Sequence, residues 1–411
     1  MKDLGLKIQL QVEPSQMPGG TKTVSTKPGT AKRNILASTH LDAIRGFAAL
    51  LVLMSHVRAT FFVDTPDILI KGSFPKLFYF VTGAGHSAVM VFFVLSGYFI
   101  SSSVFRSVEK NDWSWGEYAL NRLTRLYVVL IPALLLGVFW DCLGMKMFGV
   151  SGVYGGHRAQ LPQPILERET LLIWFGNLFF LQEIRVPPFG GNAALWSLSY
   201  EFWYYLLFPL CLLGLLRKTP LKLRCIYLAV AGGVLTFVGK AVVIYFFIWL
   251  IGIVLSRLKS NSRVGHPAFI SSCFIVLLSV FYLSKTVRFP YWDFALAIAF
   301  ACAMYGILNV RDHSGYASYR RYSHFFSGIS YSLYLAHLPL VLFLNALTIG
   351  NGPRWQPDLN HIFLALLISI VVIGYASVVW WIAEAHTEQV RNYFRLVIRQ
   401  LFQSRLEKRE V

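Results

Sequence analysis

Residues 45–56 read RGFAALLVLMSH, an apolar stretch with an arginine at one end and a histidine at the other. It belongs to a segment long enough to cross a bilayer, where an ionisable group costs roughly 2.5 kcal/mol or more unless it is paired or hydrated. Eleven helical residues turn the chain through about 1100 degrees, so Arg45 and His56 share one helix face, roughly 16 Å apart along the axis. This spacing suits the two ends of one elongated ligand.

The composition of the whole chain is that of a membrane protein. Hydrophobic residues make up 55% and charged residues 14%, and the mean hydropathy is +0.54, whereas a soluble domain has about 25% charged residues. The formal net charge is +18, but the basic residues are scattered between apolar runs, which excludes a nucleic-acid partner. The five cysteines show no metal-ligand spacing, so we expect no metal. The expected fold is an all-α bundle of transmembrane helices in a lipid bilayer.

Ten apolar stretches are long enough to span the membrane. Their centres lie near Leu53, Val94, Leu135, Tyr204, Gly232, Trp249, Ile275, Ala299, Leu340 and Ile370. The boundary between the fifth and sixth stretches is only Gly239–Lys240. A further run from Leu171 to Leu181 is too short to span and is interpreted as re-entrant or interfacial.

The distribution of basic residues predicts the orientation. Most of the 38 lysines and arginines fall in the two terminal segments and in alternate connections, which the positive-inside rule assigns to the cytoplasm. Both termini are therefore expected in the cytoplasm. Residues 1–36, rich in Lys, Thr, Pro and Gly, are expected to be a disordered basic tail. Residues 389–411 are expected to be a second basic cytoplasmic tail.

Five motifs occur in order within the membrane domain predicted for residues 37–388. They are LDAIRGFAALLVLMSH (41–56), FFVLSGY (92–98), RLTRLY (122–127), LWSLSYEFWYY (195–205) and SYSLYLAH (330–337). Together they resemble the signatures of the acyltransferase-3 family, membrane O-acyltransferases that modify cell-envelope glycans and some small molecules. One departure is the end of the last span, where many members have a glutamate, a basic residue and a proline. This chain reads Glu384–Ala385–His386–Thr387, so the exit of that helix is expected to differ.

The resemblance implies functional roles for Arg45 and His56, because the family uses the arginine and histidine of its first helix. Transfer of an acyl group from a thioester to a hydroxyl needs a base, and a neutral imidazole can accept the proton. We therefore predict that His56 is the general base. The alternative is a histidine that only bonds a neighbouring helix.

Three arginines are candidates for binding the phosphates of acyl-coenzyme A, expected to be acetyl-coenzyme A, as a co-substrate. They are Arg45, Arg122 and Arg125, and the planar guanidinium suits them because it can donate two hydrogen bonds to one phosphate. The alternative is that Arg122 and Arg125 only anchor the cytoplasmic end of their helix. Asp42, one turn before Arg45, is expected to form an ion pair with it. No permanently bound cofactor is expected.

The remaining candidate residues are polar groups in other apolar segments. Glu201 is predicted to be catalytic, either orienting His56 or holding a sugar hydroxyl, with a clasp between helices as the alternative. Tyr334, His337 and His86 are predicted to line an acceptor cavity, with purely structural contacts as the alternative. Ser96, next to Gly97, is interpreted as a helix-packing residue rather than a nucleophile.

The sequence therefore predicts an enzyme that moves an acyl group from acyl-coenzyme A to a hydroxyl of a cell-surface or exported glycan, in the bacterial inner membrane. Direct attack on the thioester is preferred, and a relay through a covalent acyl-enzyme remains open. The rival hypothesis is a transporter or flippase for a lipid-linked saccharide, and a third is a non-catalytic scaffold. The connection Gly149–Asn192 is the predicted element of acceptor selection.

Overall fold

The computed structural model describes residues 28–70, 72–156, 163–310 and 317–407. These ranges are helical, with two isolated bridges and no strands, so the predicted all-α class is confirmed. The twelve α-helices are α1 (Pro28–Phe61), α2 (Ser73–Thr82), α3 (Gly85–Glu109), α4 (Trp115–Phe148), α5 (Leu171–Leu178), α6 (Trp196–Leu215), α7 (Leu221–Arg257), α8 (Pro267–Thr286), α9 (Trp292–Leu308), α10 (Ala317–Thr348), α11 (Leu359–Ile382) and α12 (Thr387–Glu407).

Eight helical stretches among the described residues are long and apolar enough to cross a membrane. They are Leu36–Phe61, Ser73–Glu109, Trp115–Phe148, Ala193–Leu215, Leu221–Arg257, Pro267–Thr286, Ala317–Thr348 and Leu359–Leu401. The apolar helix α9 has 17 residues and is shorter than these. Helix α10 is the centre of the bundle, because 83% of its apolar window is buried against other helices.

The contacts of α1 define the two ends of the bundle. Helices α1 and α10 run in the same direction, since Arg45 bonds Ser327 and, further along, the ring of His56 contacts that of His337. Helix α3 runs the opposite way. Its N-terminal Gly85 lies against Ser55 of α1, and Phe99 further along lies beneath the guanidinium of Arg45. We call these the histidine end (His56, His86, His337) and the arginine end (Arg45, Arg122, Arg125).

Helix α7 consists of two arms that reverse direction at Gly239. This residue has φ +83°, which a glycine adopts without the steric cost that a side chain would add. The first arm starts beside the end of α6, where Arg224 bonds Gly214, and ends with Phe237 against Trp203 near the start of α6. The second arm follows α6 back, from a hydrogen bond of Tyr204 to Val242 onwards to the arginine end.

The structure therefore provides a helical segment for each of the ten expected spans, two of them as the arms of α7. The count of ten crossings and the cytoplasmic termini stay predictions, because length and composition support eight. The run from Leu171 forms the eight-residue helix α5. Most of the predicted N-terminal tail lies outside the described residues, and α1 begins within it at Pro28; α12 forms much of the predicted C-terminal tail.

Candidate active site

A cavity of about 290 Å³ lies between α1, α3, α4, α6 and α10. It brings together five of the predicted site residues, although they come from four different motifs. They are Arg45, Arg122, Arg125, Glu201 and Tyr334. The apolar part of the wall includes Val89 and Phe93 of α3. Positive charge is concentrated at one end of an otherwise largely apolar cleft, as in many sites for small anionic ligands.

A second cavity of about 320 Å³ adjoins the first at the arginine end. Arg45 and Arg125 line both cavities, and Glu384 and Trp380 line the second. The guanidinium of Arg125 lies over the ring of Tyr331, 5.7 Å from its centroid, but it makes no hydrogen bond or ion pair with any described residue. Its accessible surface opens into the two cavities. Glu384 and Glu201 stabilise its charge without contacting it, so its donors are open to an anion that enters either cavity.

Arg45 is held by two groups of its own end of the bundle. One Nη donates to Ser327 Oγ at 3.1 Å, and the other lies 3.8 Å from Asp42 Oδ1. The Ser327 hydroxyl donates in turn to Asp42 at 2.9 Å. The predicted Asp42–Arg45 pair is therefore present. Gly46 makes this closeness possible, because a Cβ there would lie 2.6 Å from Phe326 of α10.

Glu201 links two helices and also faces the first cavity. Its Oε1 accepts hydrogen bonds from Ser96 of α3, at 2.9 Å, and from Tyr205 one turn along α6. Ser96 also accepts a bond from the Trp249 indole at 3.1 Å, so its hydroxyl is occupied by packing contacts, as predicted. The second oxygen of Glu201, Oε2, has no partner in the described ranges. The clasp between helices exists, and a catalytic role of Glu201 stays a prediction.

Tyr334 connects the wall of the first cavity to the histidine end, whose three histidines are not part of the cavity lining. The Tyr334 hydroxyl bonds Ser197 at 2.7 Å, and its ring lies 6.5 Å from that of His337. The His337 ring in turn lies 5.1 Å from that of His56. Nδ1 of His337 donates to the carbonyls of Leu333 and Tyr334, at 2.8 and 3.0 Å. Because carbonyls only accept, Nε2 carries a lone pair, and it has no hydrogen-bond partner among the described groups although His337 is fully buried.

His86 lies on the other side of the histidine end and pairs with an acid that the sequence did not single out. Its Nε2 is 2.9 Å from Oδ2 of Asp293 at the start of α9. His86 follows Gly85, whose Cα faces Ser55, the neighbour of His56. The structure therefore brings all three predicted histidines to one level of the bundle.

The connection between α4 and α6 packs closely against α10 in its described part. The side-chain amide of Asn192 donates to the Leu335 carbonyl at 2.7 Å, close to His337. Arg168 donates two hydrogen bonds to the Pro188 carbonyl. Burial raises the pKa of the neighbouring Glu169 to about 7, and a hydrogen bond from the Cys142 thiol opposes this rise. Residues 157–162 of this connection lie outside the described residues.

Sequence reasoning did not identify Glu384 as a site residue. Its Oε2 accepts from both the backbone N–H and the hydroxyl of Ser332, at 3.1 and 2.7 Å. It begins the 3₁₀ turn Glu384–His386, which separates α11 from α12. The only hint in the sequence was that residues 384–387 differ from the ending found in many family members. That difference suggested a change in the exit of the helix, not a residue of the cavity.

Comparisons with known proteins identify the family of this chain. The acyltransferase domain of the acyltransferase-3 family matches residues 39–381. The chain belongs to the acyltransferase-3 family. The family predicted from the five motifs, and with it the class of enzyme, is confirmed. Together with the eight long apolar helices, this makes the chain a multi-pass integral membrane protein.

Two curated relatives are similar to this family member over part of their length. An "O-acetyl transferase" of Shigella phage Sf6 is 30% identical over 172 residues, 41% of this chain and 44% of the relative. "Acyltransferase MdmB" of Streptomyces mycarofaciens is 30% identical over 184 residues, 44% of this chain and 41% of the relative. The aligned part thus spans less than half the length of either relative. No solved structure matches the chain significantly.

Proposed function

We propose that this acyltransferase-3 protein moves an acetyl group from acetyl-coenzyme A to a hydroxyl of a cell-surface or exported glycan, as an enzyme of the bacterial inner membrane. The observation that carries the proposal is the guanidinium of Arg125, which lies between two cavities and has no hydrogen bond or ion pair with a described residue. The name of the phage relative, an O-acetyl transferase, supports the choice of acetyl.

The arginine end fits the anionic half of a coenzyme A thioester. Arg125 has all its donors available, and Arg122 spends one, at 3.3 Å, on Ser103. A guanidinium donates two parallel hydrogen bonds to one phosphate, which strengthens and orients the contact. The second cavity offers the phosphates room at this end. The acyl-bearing arm then extends along the first cavity towards Tyr334.

The histidine end fits the acceptor. In the proposed reaction the acceptor oxygen attacks the thioester carbonyl, so a C–O bond forms while the C–S bond breaks. His56 takes the hydroxyl proton and passes it to the leaving thiolate, which restores the neutral imidazole. His337, which is fully buried, lies against the ring of His56 and positions it rather than touching the acceptor. The open Oε2 of Glu201 accepts from a ligand hydroxyl or amide, Tyr334 lines the cavity, and His86 lies outside its lining, one helical turn from Val89.

The first test is acetyl transfer by the purified protein in detergent or nanodiscs. Wild type is expected to release coenzyme A thiol from acetyl-coenzyme A when acceptor glycan is added. His56→Ala is expected to lower kcat by about 10²- to 10⁴-fold, the usual contribution of a general base. The matched control is His361→Ala, which removes a half-exposed histidine at the start of α11.

Mass spectrometry of envelope and exported glycans from cells that lack the gene identifies the acceptor. Loss of an acetyl mass that wild type restores and His56→Ala does not restore agrees with the proposal. Equal restoration by both proteins would show that His56 is not the base. An unchanged acetyl mass with a glycan that fails to reach the surface would favour the transporter.

A further inference from the structure

His86 and Asp293 form a polar pair that joins two helices at the histidine end. His86 Nε2 lies 2.9 Å from Asp293 Oδ2, and the hydroxyl of Tyr245 donates to the same oxygen at 3.1 Å. The carboxylate fixes the imidazole with its hydrogen on Nε2, which leaves a lone pair on Nδ1. Neither this Nδ1 nor Asp293 Oδ1 has a partner among the described residues. The pair therefore offers two acceptor atoms, one on the imidazole and one on the carboxylate.

An aromatic wall accompanies these acceptors. The His86 ring stacks on the indole of Trp196, with ring centroids 6.2 Å apart and planes 16° from parallel. The ring of Tyr245 lies 5.9 Å from that of Trp196. Half of the His86 side chain is exposed, so the pair and its wall are open to a ligand. A flat apolar surface beside paired acceptors is the chemistry that recognises a sugar ring, whose C–H face stacks while its hydroxyls donate.

This group adjoins the cavity in which the reaction is proposed. Val89 and Phe93, about one and two helical turns along α3 from His86, line the first cavity. The Trp196 ring contacts that of Phe93, at 6.1 Å. Gly85 lies against Ser55, next to His56. A sugar bound at His86 thus lies at the same level as His56.

We propose that His86, Asp293 and Trp196 form the acceptor subsite, which binds one sugar ring of the glycan and presents its hydroxyl to His56. The inference rests on the proposed function and specifies the part of it that selects the acceptor. Asp293 acts as a positioning residue, because it holds the imidazole of His86 in place. Asp293 therefore affects the binding of the acceptor and not the binding of the thioester.

A second histidine–aspartate pair in the chain provides the control. His361 bonds Asp358 and stacks on Trp355, with centroids 5.0 Å apart. However, both carboxylate oxygens of Asp358 are used at the start of one helix, where Oδ1 caps α11 through the His361 N–H at 2.9 Å. This pair is explained as a helix cap. It has the same residue types and a partly exposed histidine ring, but both oxygens of its carboxylate are already used within the cap.

The experiment uses the protein in nanodiscs and compares two kinds of acceptor for the acetyl group of acetyl-coenzyme A. One is a set of methyl hexopyranosides, and the other is 1-butanol, which has a hydroxyl but no ring. The measured quantity is the ratio of kcat/KM for the glycoside to kcat/KM for 1-butanol. We expect His86→Ala and Asp293→Asn each to lower this ratio at least 10-fold, mainly through KM of the glycoside. His361→Ala should leave the ratio unchanged.

The outcomes separate this subsite from the proposed function. A ratio that stays constant in both variants would overturn the subsite, as would a wild-type protein that acetylates 1-butanol but no glycoside. A wild-type protein that releases no thiol with any acceptor would instead overturn the acetyl-coenzyme A reaction itself. Asp293→Asn keeps the size of the side chain but removes its charge and replaces one acceptor oxygen by a donor amide, so it tests the subsite if His86→Ala fails to fold.

Discussion

At the scale of single residues, the two arginines that line both cavities are held very differently. Arg45 has a serine and an aspartate as partners. Arg125 lies over the face of Tyr331 and is stabilised by Glu384 from across the second cavity, but it makes no hydrogen bond or ion pair with a described residue. The group with more donors left open gains most when an anion arrives. The affinity for the donor should therefore depend more on Arg125 than on Arg45.

Replacing Arg125 by methionine tests this difference. The side chain keeps its approximate length and loses its charge and donors, so KM for acetyl-coenzyme A is expected to rise about 10- to 100-fold, the value of one or two charge-assisted hydrogen bonds. Arg257→Met is the control, because Arg257 is exposed at the same end and pairs with Glu109. The prediction fails if the two variants have the same KM. Steady-state kinetics of thiol release measures it.

At the scale of helices, the contact between α3 and the second arm of α7 fixes the wall that carries Ser96. A Cβ at Gly97 would lie 2.1 Å from the Trp249 carbonyl oxygen, and one at Gly252 would lie 2.2 Å from that of Val94. Two glycines facing each other allow the backbones to approach closely, as small residues do in membrane bundles. This approach also brings the Trp249 indole to Ser96.

Gly97→Ala should therefore push these two helices apart. Overpacking of this kind costs typically 1–3 kcal/mol, which for a protein of this size lowers Tm by about 1 to 3 °C. Gly232→Ala in the first arm of α7 is the matched control, since nothing lies within 4 Å of its Cβ position. Thermal unfolding in detergent measures both. A Tm of Gly97→Ala equal to that of wild type would show that the contact relaxes without cost.

At the scale of the whole molecule, the reversal at Gly239 determines how the chain is threaded. Each arm of α7 has 18 residues, Leu221–Val238 and Lys240–Arg257, which is about 27 Å of helix and close to the thickness of a bilayer core. Two arms that run in opposite directions place Lys218 and Lys240 at opposite ends of the bundle.

Cysteine labelling tests this threading in intact cells. In a variant without the five native cysteines, Lys240→Cys should react with an impermeant maleimide from outside, and Lys218→Cys only after permeabilisation. Both lysines are exposed. The opposite labelling pattern would agree with the reversal of α7 at Gly239 but would overturn the predicted orientation in the membrane. Labelling of both from one side would overturn the ten-span threading.

The part of this protein that could be predicted from sequence is local along the chain. Apolar runs predict helices because their spacing is read within one segment, and the common face of Arg45 and His56 follows from the helical repeat alone. The five motifs identify the family for the same reason. The Asp42–Arg45 pair, one turn apart, was predictable too.

Only the tertiary structure decided which distant polar groups meet. His56 meets His337, and His86 meets Asp293, because α1, α3, α9 and α10 pack together at one end. No local pattern encodes these pairings, since they depend on helix directions and on where glycines let backbones touch. Sequence alone therefore determined the fold class, the family and the candidate residues. Packing between helices far apart in the chain decided that Arg125 has no hydrogen bond or ion pair within the described part of the chain and that His86 bonds Asp293.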